Sequence, residues 1–255
     1  MVEVFMRGKT HCAAGILAGI QLSIIFSMPV SIINIIASAA FSILPDLDKS
    51  NSIISGFIFR KKTSEHIYKL LIYTLNAAIF FMLIKMNADF LVSGIISFFI
   101  IIIVEKKVSH YHVRKYLVSF SLLLIALLLI IITNNIFFMF PFVVFAVFPW
   151  LKHRNFSHSI IMIFLVYIMM KPIEMISSLD KISVISAFSY GFHILCDMFT
   201  RQGVALFYPF SSKKISLGYI KVGGKFSNII EKILVLLLFI WTFISVAEIL
   251  GIHII

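Results

Sequence analysis

Long uninterrupted apolar blocks dominate this sequence and leave few ways for it to fold. They cover Cys12–Ile43, Ile67–Ile84, Phe90–Val104, Tyr116–Ile132, Ile136–Trp150, Phe156–Met170, Ile182–Phe199 and Ile229–Ile255. A helix crosses a bilayer with roughly 17–25 apolar residues. The first block is long enough for two crossings, and Ser27-Met28-Pro29 is the predicted turn, because proline breaks helices. Strands of a membrane barrel would alternate polar and apolar residues, and these blocks do not. The expected fold is therefore all-α: a polytopic helical membrane protein with about nine spans. Composition agrees. Hydrophobic residues make up 61 % of the chain and charged residues 13 %, against about half and about 25 % in soluble domains. Mean hydropathy is +1.07.

The net charge of +11 invites a nucleic-acid reading, but the cations are distributed by topology. With the N-terminus in the cytosol, only Lys85, Lys171 and Lys181 of the 22 Lys and Arg fall outside. That asymmetry is the positive-inside signal, and it places the C-terminus outside the cell membrane. It also presents a basic face to anionic lipid headgroups. No nucleic-acid partner is expected. The stretch from Arg7 to Met28 has the basic start and apolar middle of a secretory signal. It lacks a small-residue cleavage site and reads as a retained first span. Cys12 and Cys196 read as small buried hydrophobes. Residues 1–255 read as one domain. Two cytosolic loops, Asp46–Glu65 and Thr200–Ser227, are long enough to do more than connect helices. The second is a candidate cover for the site or a contact to headgroups.

Three polar islands interrupt the hydrocarbon: Leu44-Pro45-Asp46-Leu47-Asp48, His153-Arg154-Asn155-Phe156-Ser157-His158-Ser159, and His193-Ile194-Leu195-Cys196-Asp197. Histidines and carboxylates are costly in such surroundings and mark function. With the charge-derived topology, all three islands and His11 fall at cytosolic helix ends. His193 and Asp197 are one helical turn apart and share a face. Asp46 and Asp48, read as extended, point the same way and can chelate one ion or bridge two. His153 and His158 would sit about 140° apart on a continuous helix. They are better used if a helix starts between them, with Asn155 as its cap. Imidazole with carboxylate suits zinc, with manganese, iron or magnesium as alternatives. His11, Asp46, Asp48, His153, His158, His193 and Asp197 offer enough ligands for one to three ions. Arg154 is a natural phosphate clamp, given its planar fork of donors. The bland alternatives stay open: a helix-end motif for the aspartate pair and a buried hydrogen-bonded pair for His193 and Asp197.

At these residues the chain resembles the YdjM-like family of membrane-bound, metal-dependent hydrolases. Leu44 to Asp48 is similar to the family's Leu-Pro-Asp-Ile-Asp-His stretch. His153 to Ser159 is similar to its His-Arg-Gly-Phe-Thr-His-Ser element. Gly191, Phe192, His193, Asp197, Thr200, Gly203 and Pro209 resemble its Gly-Tyr-x-x-His-x-x-x-Asp-x-x-Thr-x-x-Gly stretch. Asn228 and Glu231 resemble a later Asn-x-x-Glu element, and His11 matches an early histidine. Lys49 stands where the family often has histidine and is a candidate contact for an anionic substrate. Relative to the family, 67–150 reads as an inserted set of helices. The resemblance implies kinship with zinc-dependent phospholipase C, and so phosphoester chemistry.

The function expected from these readings is a membrane-bound, metal-dependent hydrolase of phosphate esters, such as phospholipids or lipid-linked phosphates. Asp48 or Glu231 is the candidate general base, and Arg154 holds the phosphate. The alternative is a cation or proton transporter using the same cluster, since intramembrane acids and histidines also line ion paths.

Overall fold

A computed structural model describes residues 8–49, 52–107, 109–218 and 225–250, with side chains omitted at residues 53, 107 and 225–228. Arg7, Lys221, Gly223-Gly224 and His253 lie outside the described residues, as does the side chain of Asn228. The chain forms ten α-helices among the described residues: α1 Gly8–Ile25, α2 Ile32–Phe41, α3 Ile53–Ile58, α4 Lys61–Lys85, α5 Phe90–Lys107, α6 His110–Thr133, α7 Phe140–Ala146, α8 Ile160–Ser177, α9 Ile182–Met198 and α10 Lys225–Ile249. No strand occurs among these residues. A lone antiparallel bridge joins Val204 to Ile215. Both cysteines are free thiols.

Four helices are long and apolar enough to cross a membrane: Lys61–Lys85, His110–Thr133, Ile160–Ser177 and Ile229–Ile249. Two other apolar blocks are cut short beside prolines. The block Cys12–Ile43 does turn where expected, but its second helix, α2, has 10 residues. At 1.5 Å per residue it is about 15 Å long, half a bilayer core. Leu44-Pro45 then tightens the chain into a 3-10 turn, Leu44–Asp48. Likewise Pro141 and Pro149 divide Ile136–Trp150 into the 7-residue α7 and two flanking 3-10 turns.

Helix α9 is the axis of the site. It packs against α1, α2 and α8. Its buried face carries Ser183, Ser186, Ser189, Tyr190, His193 and Asp197, so the helix is polar on the side turned inward. Small residues let α1 and α2 come close to it. Ser38 Oγ donates to the Gly15 carbonyl at 3.0 Å and lies 2.5 Å from Ser189 Oγ. A Cβ at Gly15 would overlap the Ser42 side chain, and one at Gly19 would overlap Ser38. Close backbone approach through such residues is how helices associate where water cannot drive packing. Gly19→Val is expected to push α1 off α2 and lower stability by about 1–3 kcal/mol, measured as a lower melting temperature in detergent.

The remaining core is contributed by α6, α7, the 3-10 turn Phe148–Trp150 and α8, through Val118, Leu122, Phe145, Phe148, Met162 and Val166. The α4–α5 hairpin buries little: α4 contributes only Ser64 and Ile72. The polar islands meet at one end of this assembly, where α1 and α8 begin and α2 and α9 finish.

Candidate metal centre

The 3-10 turn at Leu44–Asp48 decides where the two aspartates go. Three residues per turn separate positions i and i+2 by about 120°. Asp46 and Asp48 therefore do not point the same way, as an extended stretch would have them. Asp46 turns toward His193, with Oδ1 at 3.9 Å from Nε2. Asp48 turns toward His153, whose Nδ1 lies 2.6 Å from Oδ1.

The second island also differs from expectation. Helix α8 begins after both histidines, and Ser159 caps it by accepting from the Met162 amide at 3.3 Å. Asn155 heads only a short 3-10 turn, Phe156–His158, and its side chain makes no cap hydrogen bond. A left-handed residue, Arg154 with φ of 63°, folds the island back so that both imidazoles face Asp48. In the third island, the one-turn spacing on α9 holds: His193 and Asp197 approach at 3.9 Å.

Two groups of donors result. Asp46, His158, His193 and Asp197, all buried, place one ligand atom each within 4.8 Å of one another. Asp48, His153 and His158 do the same. His158 is common to both. His11 stacks on His193 with ring centroids 3.9 Å apart and reaches Asp197 Oδ1 at 3.5 Å. Glu231 is on α10, where its Oε2 accepts from Thr10 Oγ1 at 3.1 Å, beside His11 and outside both groups.

Hydrogen-bond chemistry fixes which ring nitrogens carry lone pairs. His193 Nδ1 lies 2.7 Å from the Ser42 carbonyl. A carbonyl only accepts, so Nδ1 carries the proton. Ser157 gives its single hydroxyl proton to Asp48 Oδ2. His158 Nδ1, at 2.9 Å from that hydroxyl oxygen, must then be a donor too. In both neutral rings Nε2 is left with the lone pair. Both Nε2 atoms are buried without a hydrogen bond, and they face Asp197 Oδ2 at 3.4 and 3.9 Å. Electron pairs on two imidazoles and two carboxylates thus converge, and the Arg154 guanidinium meets them from one side through Asp197 Oδ2 at 2.9 Å. A metal ion or a proton in their midst offsets the cost of burying them, and the four residues could hold a metal ion. Orienting a ligand ring through its other nitrogen is also how proteins support metal-binding histidines.

Electrostatics repeats the point. Burial disfavours charge on Asp48 and His158 alike, but their hydrogen bonds outweigh it. His153 and His158 hold the Asp48 carboxyl well below the usual carboxylate range. Asp197 and Asp48 raise the His158 imidazole to about 9. Without metal, a proton takes the cation's place. The stabilisation from this raised value is complete below the ordinary pKa of about 6.5 and is lost as pH rises through about 9. Metal-free protein is therefore expected to lose on the order of 3 kcal/mol across that window, read as a falling melting temperature that added zinc restores.

Arg154 is fully enclosed at 1 % exposure. Its Nη2 meets Asp197 Oδ2 at 2.9 Å, and its Nη1 donates to Thr200 Oγ1 at 2.8 Å and to the Gly203 carbonyl at 3.3 Å. Its backbone amide donates to Asp48 Oδ2 at 3.2 Å, and its carbonyl accepts from Ala205 at 3.0 Å. The guanidinium expected to clamp a phosphate is thus committed to a site carboxylate and to the loop after α9. Residues that sequence reasoning assigned no role complete the frame. Ser157 orients His158, the Ser42 carbonyl orients His193, and the buried Tyr190 hydroxyl donates to the Ser157 carbonyl at 2.5 Å. Tyr190 precedes Gly191 in the third stretch, and a tyrosine inside a polar-faced apolar helix was the available signal. Exposure is confined to two members: the Asp46 side chain at 12 % and the His153 side chain at 23 %. The centre opens on that side.

An all-helical chain with apolar helices of membrane length and a buried His/Asp cluster able to hold a cation defines the class. The chain belongs to the YdjM inner membrane protein family, whose sequence profile matches residues 6–252. No curated protein and no solved structure matches it.

Proposed function

We propose that the chain is a membrane-embedded, metal-dependent hydrolase of phosphate esters, with phospholipids or lipid-linked phosphates as substrates. The observation that carries this reading is the convergence of the His158 and His193 lone pairs on Asp46 and Asp197. These four residues would hold the principal ion. Their mixed nitrogen and oxygen donors suit zinc, then manganese, iron or magnesium. With the His158 Nε2 pair given to that ion and Nδ1 carrying a proton, Asp48 and His153 orient the ligands, and His11 backs Asp197. A divalent cation held there supplies Lewis acidity toward water and a phosphoryl oxygen. The net reaction consumes one water: its hydroxyl joins phosphorus, the ester P–O bond breaks, and the leaving oxygen takes the remaining proton.

The surrounding residues divide the other tasks. Asp48 is enclosed, with both oxygens engaged, so it acts as an orienting carboxylate. Asp46, on the open side, is the carboxylate placed to accept the proton of water, while Glu231, bonded to Thr10, lies outside both donor groups. Arg154 keeps Asp197 ionised and aimed. Lys49 sits among Asp46, Asp48 and Asp197, where burial lowers the pKa of its ammonium, and is the cation offered to a substrate phosphate.

In the membrane, nine passages fit the helix order, with α2 and α7 as half-length ones. The site then lies at the cytosolic edge, the N-terminus in the cytosol and the C-terminus outside. Residues 67–150 supply accessory helices. A site at headgroup depth reaches lipid phosphates without extracting them. The test is turnover of a phospholipid and lipid-phosphate panel by purified protein, stripped by chelator and reloaded with zinc or manganese. Turnover that disappears on stripping and returns on reloading supports the reading. Metal-independent turnover overturns it, and ion flux in proteoliposomes abolished by Asp197→Asn with no ester cleaved overturns it in favour of a transporter.

A further inference from the structure

The loop after α9 presents a surface that the metal centre does not use. Its stem is tightly held. The Leu217 amide donates to the Met198 carbonyl at 2.7 Å, Val204 and Ile215 exchange two backbone hydrogen bonds, and the Leu206 carbonyl accepts from Ile160 at 2.9 Å. Val204 and Ala205 are completely buried. From this stem a turn projects, closed by Tyr208 to Ala205 and Ser211 to Phe207 backbone hydrogen bonds, each 3.0 Å. Its tip is apolar and bare: Phe210 is 89 % exposed and Phe207 53 %, with Pro209 between them also exposed. Tyr208 packs edge-on against Phe156 of the second polar island, so the turn touches the segment that carries His153 and His158.

Two bare phenylalanines with an exposed proline between them form an apolar patch of the kind that marks an interaction surface. Exposed Arg201, Lys213 and Lys214 lie on the same loop, and the described part of that loop contains no acid between residues 199 and 218. An apolar tip with cations beside it matches the boundary between acyl chains and anionic headgroups. The loop also hangs from the end of α9, the depth at which a membrane-embedded bundle meets that boundary.

We propose that the Phe207–Phe210 turn is an interfacial wedge. It inserts beneath the headgroups of the leaflet beside the metal centre, and anionic phospholipids hold it there through Arg201, Lys213 and Lys214. Each cation near such a surface adds roughly a fivefold preference for anionic lipid. Through Phe156 and Arg154, the wedge fixes the depth of the site. The inference needs membrane residence but does not rest on the hydrolase reading, and its test uses no activity.

The test is Phe210→Trp protein in nanodiscs, either of phosphatidylcholine alone or with one third phosphatidylglycerol, with bromine placed high on the acyl chains. Phe210 is almost fully exposed, so the substitution leaves packing intact, and subtracting the wild-type spectrum removes Trp150 and Trp241. Blue-shifted emission at residue 210 that bromolipid more than halves, with the larger effect in phosphatidylglycerol, is expected. Lys213→Glu combined with Arg201→Glu should remove the phosphatidylglycerol increment. Solvent-like, unquenched emission in both nanodiscs overturns the proposal and marks the tip as a surface for a soluble partner. Quenching indifferent to phosphatidylglycerol and to the two charge reversals overturns it as well.

Discussion

Asp197→Ala protein is expected to lose its metal and much of its stability together. Asp197 is the hub of the centre: Arg154, His11, His158 and His193 all approach it, at 2.9, 3.5, 3.4 and 3.9 Å. Removing the carboxylate deletes one ion ligand and leaves the Arg154 guanidinium buried without its counter-ion. Breaking a buried pair from one side costs about 3–5 kcal/mol. For a chain of this size each kcal/mol is worth about 2–4 °C of melting temperature. Bound metal should fall below a tenth of the wild-type stoichiometry by elemental analysis. Asp197→Asn separates the two effects. Its amide oxygen still accepts from Arg154, so it should melt closer to wild type while holding no more metal than the alanine variant. Wild-type metal content in Asp197→Ala would show that the ion is bound elsewhere.

Arg154→Met should make folding depend on metal. The side chain is enclosed, and methionine fills much of the same volume without a charge. In metal-free protein Asp197 would lose its strongest partner, and the Thr200–Gly203 turn would lose two hydrogen bonds. A loss of about 3–5 kcal/mol is expected. Excess zinc or manganese should recover part of it, because a ligand that binds only the folded state adds stability by mass action, about 2.7 kcal/mol at a hundredfold excess over Kd. The wild type should gain less from metal, since Arg154 already neutralises Asp197. A guanidinium that served only to grip substrate phosphate would behave differently. Its loss would leave both melting curves unchanged and weaken substrate binding alone.

These expectations show where the chain could be read directly and where it could not. Helical class and membrane-length blocks follow from composition, because a run such as Leu122–Ile132 has no other stable arrangement in a bilayer. Spacing located the His193–Asp197 pair because α9 is a regular helix through both. Irregular backbone was harder. The 3-10 turn at Asp46–Asp48 depends on Pro45 and on the short α2 before it, and it sends two aspartates that looked equivalent to different partners. The start of α8 depends on which of two polar residues caps it. Ser159 does so, and Asn155 is left in the fold-back forced by Arg154. The commitment of Arg154 to Asp197 was not legible, because it needs residues separated by 43 positions to meet in a buried pocket. Ser42 acts through its carbonyl, which every residue has, so no side-chain pattern could flag it.

On the proposed reading, two imidazole lone pairs and two carboxylates enclose a cation. The most direct test is elemental analysis of protein purified without added metal, beside His193→Ala and His66→Ala. His66 lies on α4, and its Nδ1 contacts only the Lys62 carbonyl of its own helix, at 2.7 Å. Near-stoichiometric transition metal in wild type and His66→Ala, with loss in His193→Ala, is the predicted result. Wild-type protein that stays metal-free even after incubation with zinc or manganese would contradict the account.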